Sequence, residues 1–237
     1  SNVPTETREP QKLGAFDRVE VSSALDVDIE QGSEPEVRLA GAPEDLDQLV
    51  METRGSTLHL YRRKGRRGHR AHRVNIKIIM PSLRGVNVSG ASDLSFKGFE
   101  GGDELEVGAS GASTVVGQMR GVKVDVDVSG ASNVHLSGAA AQCTLDASGA
   151  SDAYLRELQC REWSVDLSGA SDAQIYASHV LGPVDLSGAS SLHYRGTPKL
   201  GSVSVSGAAS FCAVFCILIL ALYLPEHFPG GLTEPPV

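Results

Sequence analysis

Three sets of side chains in this sequence have types and spacings that could support chemistry. The first is a set of serines, because the tetrapeptide SGAS, or SGAA in the last copy, recurs seven times. The second is a row of aspartates two residues before four of these copies, and the third is a basic cluster within residues 62–73. These sets could supply nucleophiles, ligands for a cation and a site for an anion, respectively.

The repeated serines are predicted to be structural. Equivalent copies at intervals of 19 to 21 residues indicate a repeat, and the G-x-S-x-G pattern of a hydrolase nucleophile does not occur in the sequence. Glycine permits a sharp bend, alanine fits a crowded corner, and the hydroxyls can pair with the copies above and below. The Ser and Gly pairs of this bend are Ser89 and Gly90, Ser110 and Gly111, Ser129 and Gly130, Ser148 and Gly149, Ser168 and Gly169, Ser187 and Gly188, and Ser206 and Gly207.

The aspartates are predicted to form a column on the outside of successive coils. Like charges about 4.8 Å apart repel by roughly 0.9 kcal/mol per pair even in water. Calcium accepts such oxygen ligands, but the spacing matches neither the calcium-binding nonapeptide nor an EF-hand loop. We therefore favour a solvated, screened column over a calcium site, and chelation that lowers the melting temperature would favour calcium. The members are Asp127, Asp146, Asp166 and Asp185.

The basic cluster is a candidate site for an anionic polymer such as lipopolysaccharide, teichoic acid or extracellular DNA. The alternatives are a solvated hairpin loop, which is favoured, and docking onto the acidic column of a neighbouring molecule. The net charge of −8 argues against general nucleic-acid binding. The members are Arg62, Arg63, Lys64, Arg66, Arg67, Arg70 and Arg73.

The spacing of the repeats predicts the elements that must position these residues. A period near 19 or 20 suits one coil of a parallel β-helix and is too short for a helix pair or a propeller blade. Apolar residues alternate before the bend, as at Val165 and Leu167, and again after it, as at Ala173 and Ile175. Val203 and Val205 repeat this alternation in the last copy. The predicted fold is an all-β, parallel β-helix of about seven coils of 19 to 20 residues.

The chain is predicted to have four parts. Residues 1–12 form a polar leader expected to be disordered, and the start at Ser1 instead of Met favours a removed signal peptide. Residues 13–83 form a β-rich cap that covers the edge of the first coil, and within it Ser22–Asp26 is a degenerate copy of the bend. Residues 84–210 form the β-helix, and residues 211–237 form an apolar segment and a Pro-rich tail.

Two features leave alternatives open. Residues 211–224 are all apolar but too few to span a membrane by themselves, so a buried terminal cap is favoured over membrane association or pairing with another copy. Cys143 and Cys160 lie 17 residues apart and would meet on adjacent coils. Two free buried thiols are the simpler interpretation, whereas a disulfide would fit an oxidising compartment.

Three stretches carry a family resemblance: Phe16–Gly32 (FDRVEVSSALDVDIEQG), Met80–Leu94 (MPSLRGVNVSGASDL) and the later SGAS copies. Together, over residues 13–210, they resemble the bacterial family called putative auto-transporter adhesin, head GIN domain. The resemblance implies a right-handed β-helix and an extracytoplasmic protein of the periplasm, outer membrane or cell surface. It supplies no catalytic residues, and the apolar segment from Phe211 departs from the polar β structure expected at this end.

The favoured function is a non-enzymatic, exported envelope module that binds a polysaccharide, an envelope polymer or a surface protein in the manner of an adhesin, or that is structural. The first alternative is a carbohydrate-active β-helix enzyme, although short, even coils leave little material for a cleft. The second is a self-assembling envelope scaffold. We predict no catalytic residue and no cofactor, and the oligomeric state is left open.

Overall fold

The bends of the repeat organise a nearly all-β fold in residues 6–63 and 72–214, the part of the chain that the computed structural model describes. All 17 strands belong to one sheet that winds into a solenoid of about seven turns. The strands are β1 (Glu6–Lys12), β2 (Arg18–Val21), β3 (Asp26–Gln31), β4 (Glu36–Gly41), β5 (Leu49–Arg54), β6 (Thr57–Arg62), β7 (Asn75–Met80), β8 (Gly85–Val88), β9 (Asp93–Ala109), β10 (Thr114–Val128), β11 (Asn133–Ala147), β12 (Asp152–Leu167), β13 (Asp172–Leu186), β14 (Ser191–Arg195), β15 (Lys199–Leu200), β16 (Val203–Val205) and β17 (Ser210–Ala213). One helical turn, α1 (Pro43–Leu46), follows β4.

The central coils confirm the predicted parallel β-helix. Strands β9 to β13 pair in parallel, and each begins just after one bend and ends at the next. The bends themselves stack through the backbone: the Ala150 amide donates to the Gly130 carbonyl over 2.8 Å, and the Ala170 amide donates to the Gly149 carbonyl over 2.7 Å. Gly149 has φ of +77°, and a Cβ there would lie 2.6 Å from the Gly130 oxygen. Glycine is therefore required by both the backbone angle and the close approach of the coil below.

The serine hydroxyls form only part of the ladder between copies that the sequence predicts, as where the Ser113 amide donates to the Ser132 hydroxyl over 3.3 Å. The second serine of each bend is the buried one, and the Ser151 hydroxyl donates to the Ser148 carbonyl of its own bend over 2.8 Å. It also lies 3.4 Å from the Val128 carbonyl of the preceding coil. The alanine of the bend is exposed. The ladder is thus made mainly by backbone amides and carbonyls, and the buried hydroxyls satisfy carbonyls that the bend would otherwise leave unpaired.

The apolar core fills the inside of the solenoid with the predicted alternation. Val165, Leu167, Ala173 and Ile175 are all buried, as are their equivalents in the neighbouring coils. The last coil is an exception to the prediction, because Val205 stays 48% exposed although it pairs in register with Leu186. The cause is its position at the end of the described stack, where no further described strand covers it.

The N-terminal part confirms the predicted degenerate bend. The order of its strands in the sheet differs from their order along the chain. Ser22 donates its amide to the Leu60 carbonyl, and Ser89 of the first full repeat donates to the Val21 carbonyl. Ser23 takes φ of +72°, the angle that glycine takes in the later bends. Strands β6 and β7, although later in the chain, lie outside β2 and β3 and cover the first coil.

Antiparallel strands end the parallel stack at this side. Strand β4 pairs antiparallel with β7, and β5 pairs antiparallel with β6. Residues 6–12, which were predicted to belong to a disordered leader, instead form β1 along the free edge of β4. The reason is that the edge of β4 offers unpaired amides and carbonyls, which backbone pairing satisfies whatever the side chains are.

Cys143 and Cys160 form a disulfide with a Cα–Cα distance of 6.3 Å, so the interpretation as two free thiols is wrong. Both residues are buried in the core. The pairing register explains the contact: Cys143 lies opposite Trp163, and Cys160 lies opposite Ala140, so the two cysteines face each other diagonally within the coil stack. The bond joins β11 to β12.

The start of the apolar C-terminal segment belongs to the solenoid. Strand β17 runs parallel to β14, and the ring of Phe211 stacks on Tyr194 with centroids 5.0 Å apart. The coil stack thus extends three residues beyond the predicted end at 210. The remainder of the predicted segment, residues 215–224, lies outside the described residues. No helix within the described ranges is long and apolar enough to cross a membrane.

Candidate functional site

The four aspartates form the predicted column. Asp127 pairs in register with Asp146, Asp146 with Asp166, and Asp166 with Asp185, and all four are exposed. Partial burial raises the pKa of Asp146, and the charges of Asp166, Asp127 and Asp125 raise it further. The column is therefore a row of carboxylates in which Asp146 is repelled by the charges of Asp127 on one side and Asp166 on the other.

A groove of about 630 Å³ adjoins the first two aspartates of the column. At its other side Arg18 forms a bidentate ion pair with Glu106, with N–O distances of 2.6 and 3.0 Å, which lowers the pKa of Glu106. The Lys123 ammonium lies between Glu104, at 2.9 Å, and Asp125, at 2.6 Å. These two cations offset part of the negative charge on this face.

We expect the variant D146N to be more stable than the wild type at pH 7, because the substitution removes a carboxylate that its neighbours repel. The gain in the free energy of unfolding should be at most about 1 kcal/mol, because solvent screens these exposed charges. The sign follows from the raised pKa: the folded state holds its proton more tightly than the unfolded chain, so stability falls as pH rises through the pKa of Asp146. The gain should therefore shrink as pH falls towards about 4, the pKa of an unfolded aspartate, and disappear about one unit lower, where both states are protonated. Thermal melting between pH 3 and 8 measures this.

D185N is the matched control, because Asp185 has an aspartate on one side only and Ser204 on the other. It should gain less at pH 7. A gain in D146N that is independent of pH would contradict repulsion within the column.

The basic cluster is only partly available to an anion. The Arg62 guanidinium donates to the buried carboxylate of Asp45 over 2.8 Å, and its side chain is only 8% exposed. Arg73 pairs with Asp26 at 2.8 Å and Asp93 at 3.3 Å. Arg63 is exposed. Lys64, Arg66, Arg67 and Arg70 lie outside the described residues. Arg62 thus stabilises the cap, and Arg73 neutralises carboxylates that follow the bends.

Asp45 has a structural role under this cluster. One of its oxygens accepts from Arg62, and the other lies 3.1 Å from the His72 amide and 3.2 Å from His72 Nδ1. Glu44, Asp45 and His72 bring potential ligand atoms within 4.8 Å of one another. Because both Asp45 oxygens are already engaged, this arrangement ties α1 to β6 and to the segment before β7.

A second hollow, of about 440 Å³, was not predicted from the sequence. Its floor consists of Ala139, Ala140 and Ala141 on β11. Arg120 borders it from the coil before. From the coils after, it is bordered by Gln159, Arg161, Tyr176 and Ser178. It lies in the middle part of the long strands, away from the bends, so its members have no fixed place in the SGAS pattern.

The parallel stack, the glycine bends and the polar surface rows define this protein as a β-solenoid module. The chain belongs to the family described as "Putative auto-transporter adhesin, head GIN domain", whose model matches residues 15–198. No protein of curated function matches the sequence.

Several solved structures share the fold. A putative adhesin from Bacteroides fragilis is 20% identical, with a TM-score of 0.83 over 90% of this chain and 98% of that chain. A putative adhesin from Parabacteroides merdae is 18% identical, with a TM-score of 0.69 over 90% and 98%. A putative lipid binding protein from Parabacteroides distasonis is 19% identical, with a TM-score of 0.68 over 89% and 98%. These similarities establish the fold.

Proposed function

We propose that this protein is a non-enzymatic module of the bacterial cell envelope that binds a polysaccharide or another envelope polymer along the faces of its solenoid. The observation that carries the proposal is the register of the coils. Because β9 to β13 pair in parallel, side chains in register form rows at intervals of about 4.8 Å, and next to the bends these rows join equivalent positions of the repeat. A repeating surface of this kind suits a repeating ligand, and membership of an adhesin family supports the same function.

An extracytoplasmic location is part of the proposal. The buried disulfide between Cys143 and Cys160 supports it, because such bonds form and persist in oxidising compartments. The description of the family as an auto-transporter adhesin points in the same direction.

The geometry of the acidic column favours binding over hydrolysis. A glycosidase places two carboxyl groups on opposite sides of the bond that it cleaves. Here all four carboxylates project from one wall, at equivalent positions of successive coils. They can attract cations or cationic groups, and the carboxylate at the other side of the groove, Glu106, is held in the ion pair with Arg18.

The experiment is binding of the full chain to an array of bacterial glycans, teichoic acid, lipopolysaccharide and host matrix proteins at about 0.15 M ionic strength. We expect saturable binding to one polymer class. An unrelated protein of similar net charge is the control for non-specific electrostatic retention. Absence of saturable binding across the array would contradict the proposed function.

Self-assembly into an envelope scaffold is the second candidate, and the exposed last coil favours it. Leu200, Val203 and Val205 are 45%, 38% and 48% exposed, although their equivalents in earlier coils are buried. Such an end is complementary to the end of another solenoid or to a cap.

The double variant V203K/V205K tests this candidate by sedimentation velocity. If the coil end is a contact between copies, the wild type should associate as its concentration rises, and the variant should remain monomeric. A wild type that is monomeric throughout would contradict self-assembly through this end.

A further inference from the structure

We propose that the hollow over the alanine floor binds a uronic acid unit of an anionic polysaccharide, with Arg120 and Arg161 holding its carboxylate and Tyr176 contacting its ring. This inference rests on the proposed function and specifies its site and ligand class.

The register of the coils brings the two arginines to the same hollow. Four residues on successive coils form one surface row. Arg120 pairs with Ala139, Ala139 pairs with Gln159, and Gln159 pairs with Tyr176. Arg161 lies two residues after Gln159, opposite Ala141. The alanine coil therefore separates the two arginine coils and leaves space between them. Both side chains are long enough to turn over this floor towards one ligand.

Among the residues that the structure describes, neither arginine has a carboxylate partner. Both are exposed, and no ion pair joins either of them to an acidic side chain within residues 6–63 and 72–214. Glu100 lies in register with Arg120 on the side away from the hollow, without forming such a pair. Arg195 follows Tyr176 in register on the next coil and extends the positive row. A planar guanidinium matches a carboxylate through two parallel hydrogen bonds, so this row is complementary to an acidic sugar.

The rest of the hollow suits a sugar ring. Tyr176 is half-buried and presents an aromatic side chain. The small side chains of Ala139 and Ala141 leave the floor low, while Ala140 is buried in the core. Gln159 and Ser178 add polar groups at the rim that can bond to ring hydroxyls. A simple inorganic anion would use only the arginines, whereas a uronate would use every part of this hollow.

The structure also supplies a reporter for binding. Trp163 is the single tryptophan of the chain and is 1% exposed. Its indole Nε1 donates to the carbonyl of Tyr176 over 2.8 Å, so a ligand that moves Tyr176 should change the tryptophan emission.

The test is calorimetric titration of the full chain with tetragalacturonate, followed in parallel by tryptophan emission. R120Q and R161Q should each weaken binding about tenfold or more, because each removes a charged hydrogen-bonding partner of the carboxylate. Y176A should also weaken binding, whereas Y176F should retain it. R84Q is the matched control, since Arg84 is exposed and does not line the hollow, and the affinity of this variant should equal that of the wild type.

The outcomes separate the site from the function. A neutral tetrasaccharide and sodium sulfate should bind at least tenfold more weakly than tetragalacturonate. Equal losses in R84Q and R120Q would show charge attraction without a site and overturn the inference. If the array identifies a polymer and tetragalacturonate does not bind, the uronate site is wrong while the proposed function stands. If nothing in the array binds either, the proposed function itself fails.

Discussion

Replacement of Gly149 with alanine is expected to destabilise the protein by about 2 to 5 kcal/mol. A left-handed backbone angle costs an L-residue about 1 to 2 kcal/mol, and Gly149 has φ of +77°. The new methyl group would also lie 2.6 Å from the Gly130 carbonyl oxygen in the coil below, and overpacking of this kind adds about 1 to 3 kcal/mol. Since these are backbone atoms in a stacked ladder, they cannot move without breaking the bond from Ala150 to Gly130. Urea denaturation measures the loss.

G55A is the control that separates the two contributions. Gly55 has φ of +60° in the turn between β5 and β6, but a Cβ there has nothing within 4 Å. The control should therefore lose only the cost of the backbone angle, about 1 to 2 kcal/mol. Equal losses in G149A and G55A would contradict the claim that the repeated glycines are required by the approach of successive coils.

Removal of the disulfide is expected to cost about 3 kcal/mol in the double variant C143A/C160A. The two cysteines are 17 residues apart in the sequence, so the bond closes a short loop. The chain-entropy model gives about 3 kcal/mol of stabilisation for a loop of this length. Both sulfur atoms are also buried, so their loss removes packing inside the coils. Guanidinium denaturation with and without reductant measures the effect. The wild type should become less stable in reductant, and the double variant should not respond.

C212A is the control for this experiment. Cys212 is exposed and unpaired among the described residues, so its replacement should leave both the stability and the response to reductant unchanged. A wild type whose stability is the same with and without reductant would contradict a disulfide between β11 and β12.

The central fold was predictable because one residue pattern fixes both the bend and the register. Six copies of SGAS and one of SGAA at nearly constant intervals place Asp127, Asp146 and their equivalents in one row, and the structure has them there. The prediction about the hydroxyls holds only in part, for a physical reason. A buried serine such as Ser151 finds the carbonyl of Ser148 three residues away, which is closer than the next coil.

The N-terminal part was less predictable because its pairing is not local. The turn at Pro43 and the hairpin of β5 and β6 follow from short-range patterns. The placement of β6 and β7 outside β2 and β3 does not, since it joins segments about 40 to 50 residues apart. The pairing of β1 with β4 depends on an available strand edge and not on the side chains of residues 6–12.

The second hollow escaped sequence reasoning because the register shifts within the coils. The pairing between β11 and β12 shifts between His135 and Ser137, and the pairing between β12 and β13 shifts after Leu155. Arg120, Gln159 and Tyr176 therefore stand at different distances from their own SGAS bends, although they share one row. The run of three alanines, Ala139–Ala141, between coils that carry arginine was the available signal.

The claim that this solenoid binds a polymer without transforming it is tested most directly by the fate of the bound polymer. The full chain is incubated at stoichiometric concentration with tetragalacturonate and with each polymer that it binds, and the recovered chains are analysed by mass spectrometry and for new reducing ends. We expect an unchanged distribution of chain lengths under conditions in which binding is saturated. Shortened chains or new reducing ends, lost in a variant of the acidic column such as D127N/D146N, would contradict the account and establish an enzyme.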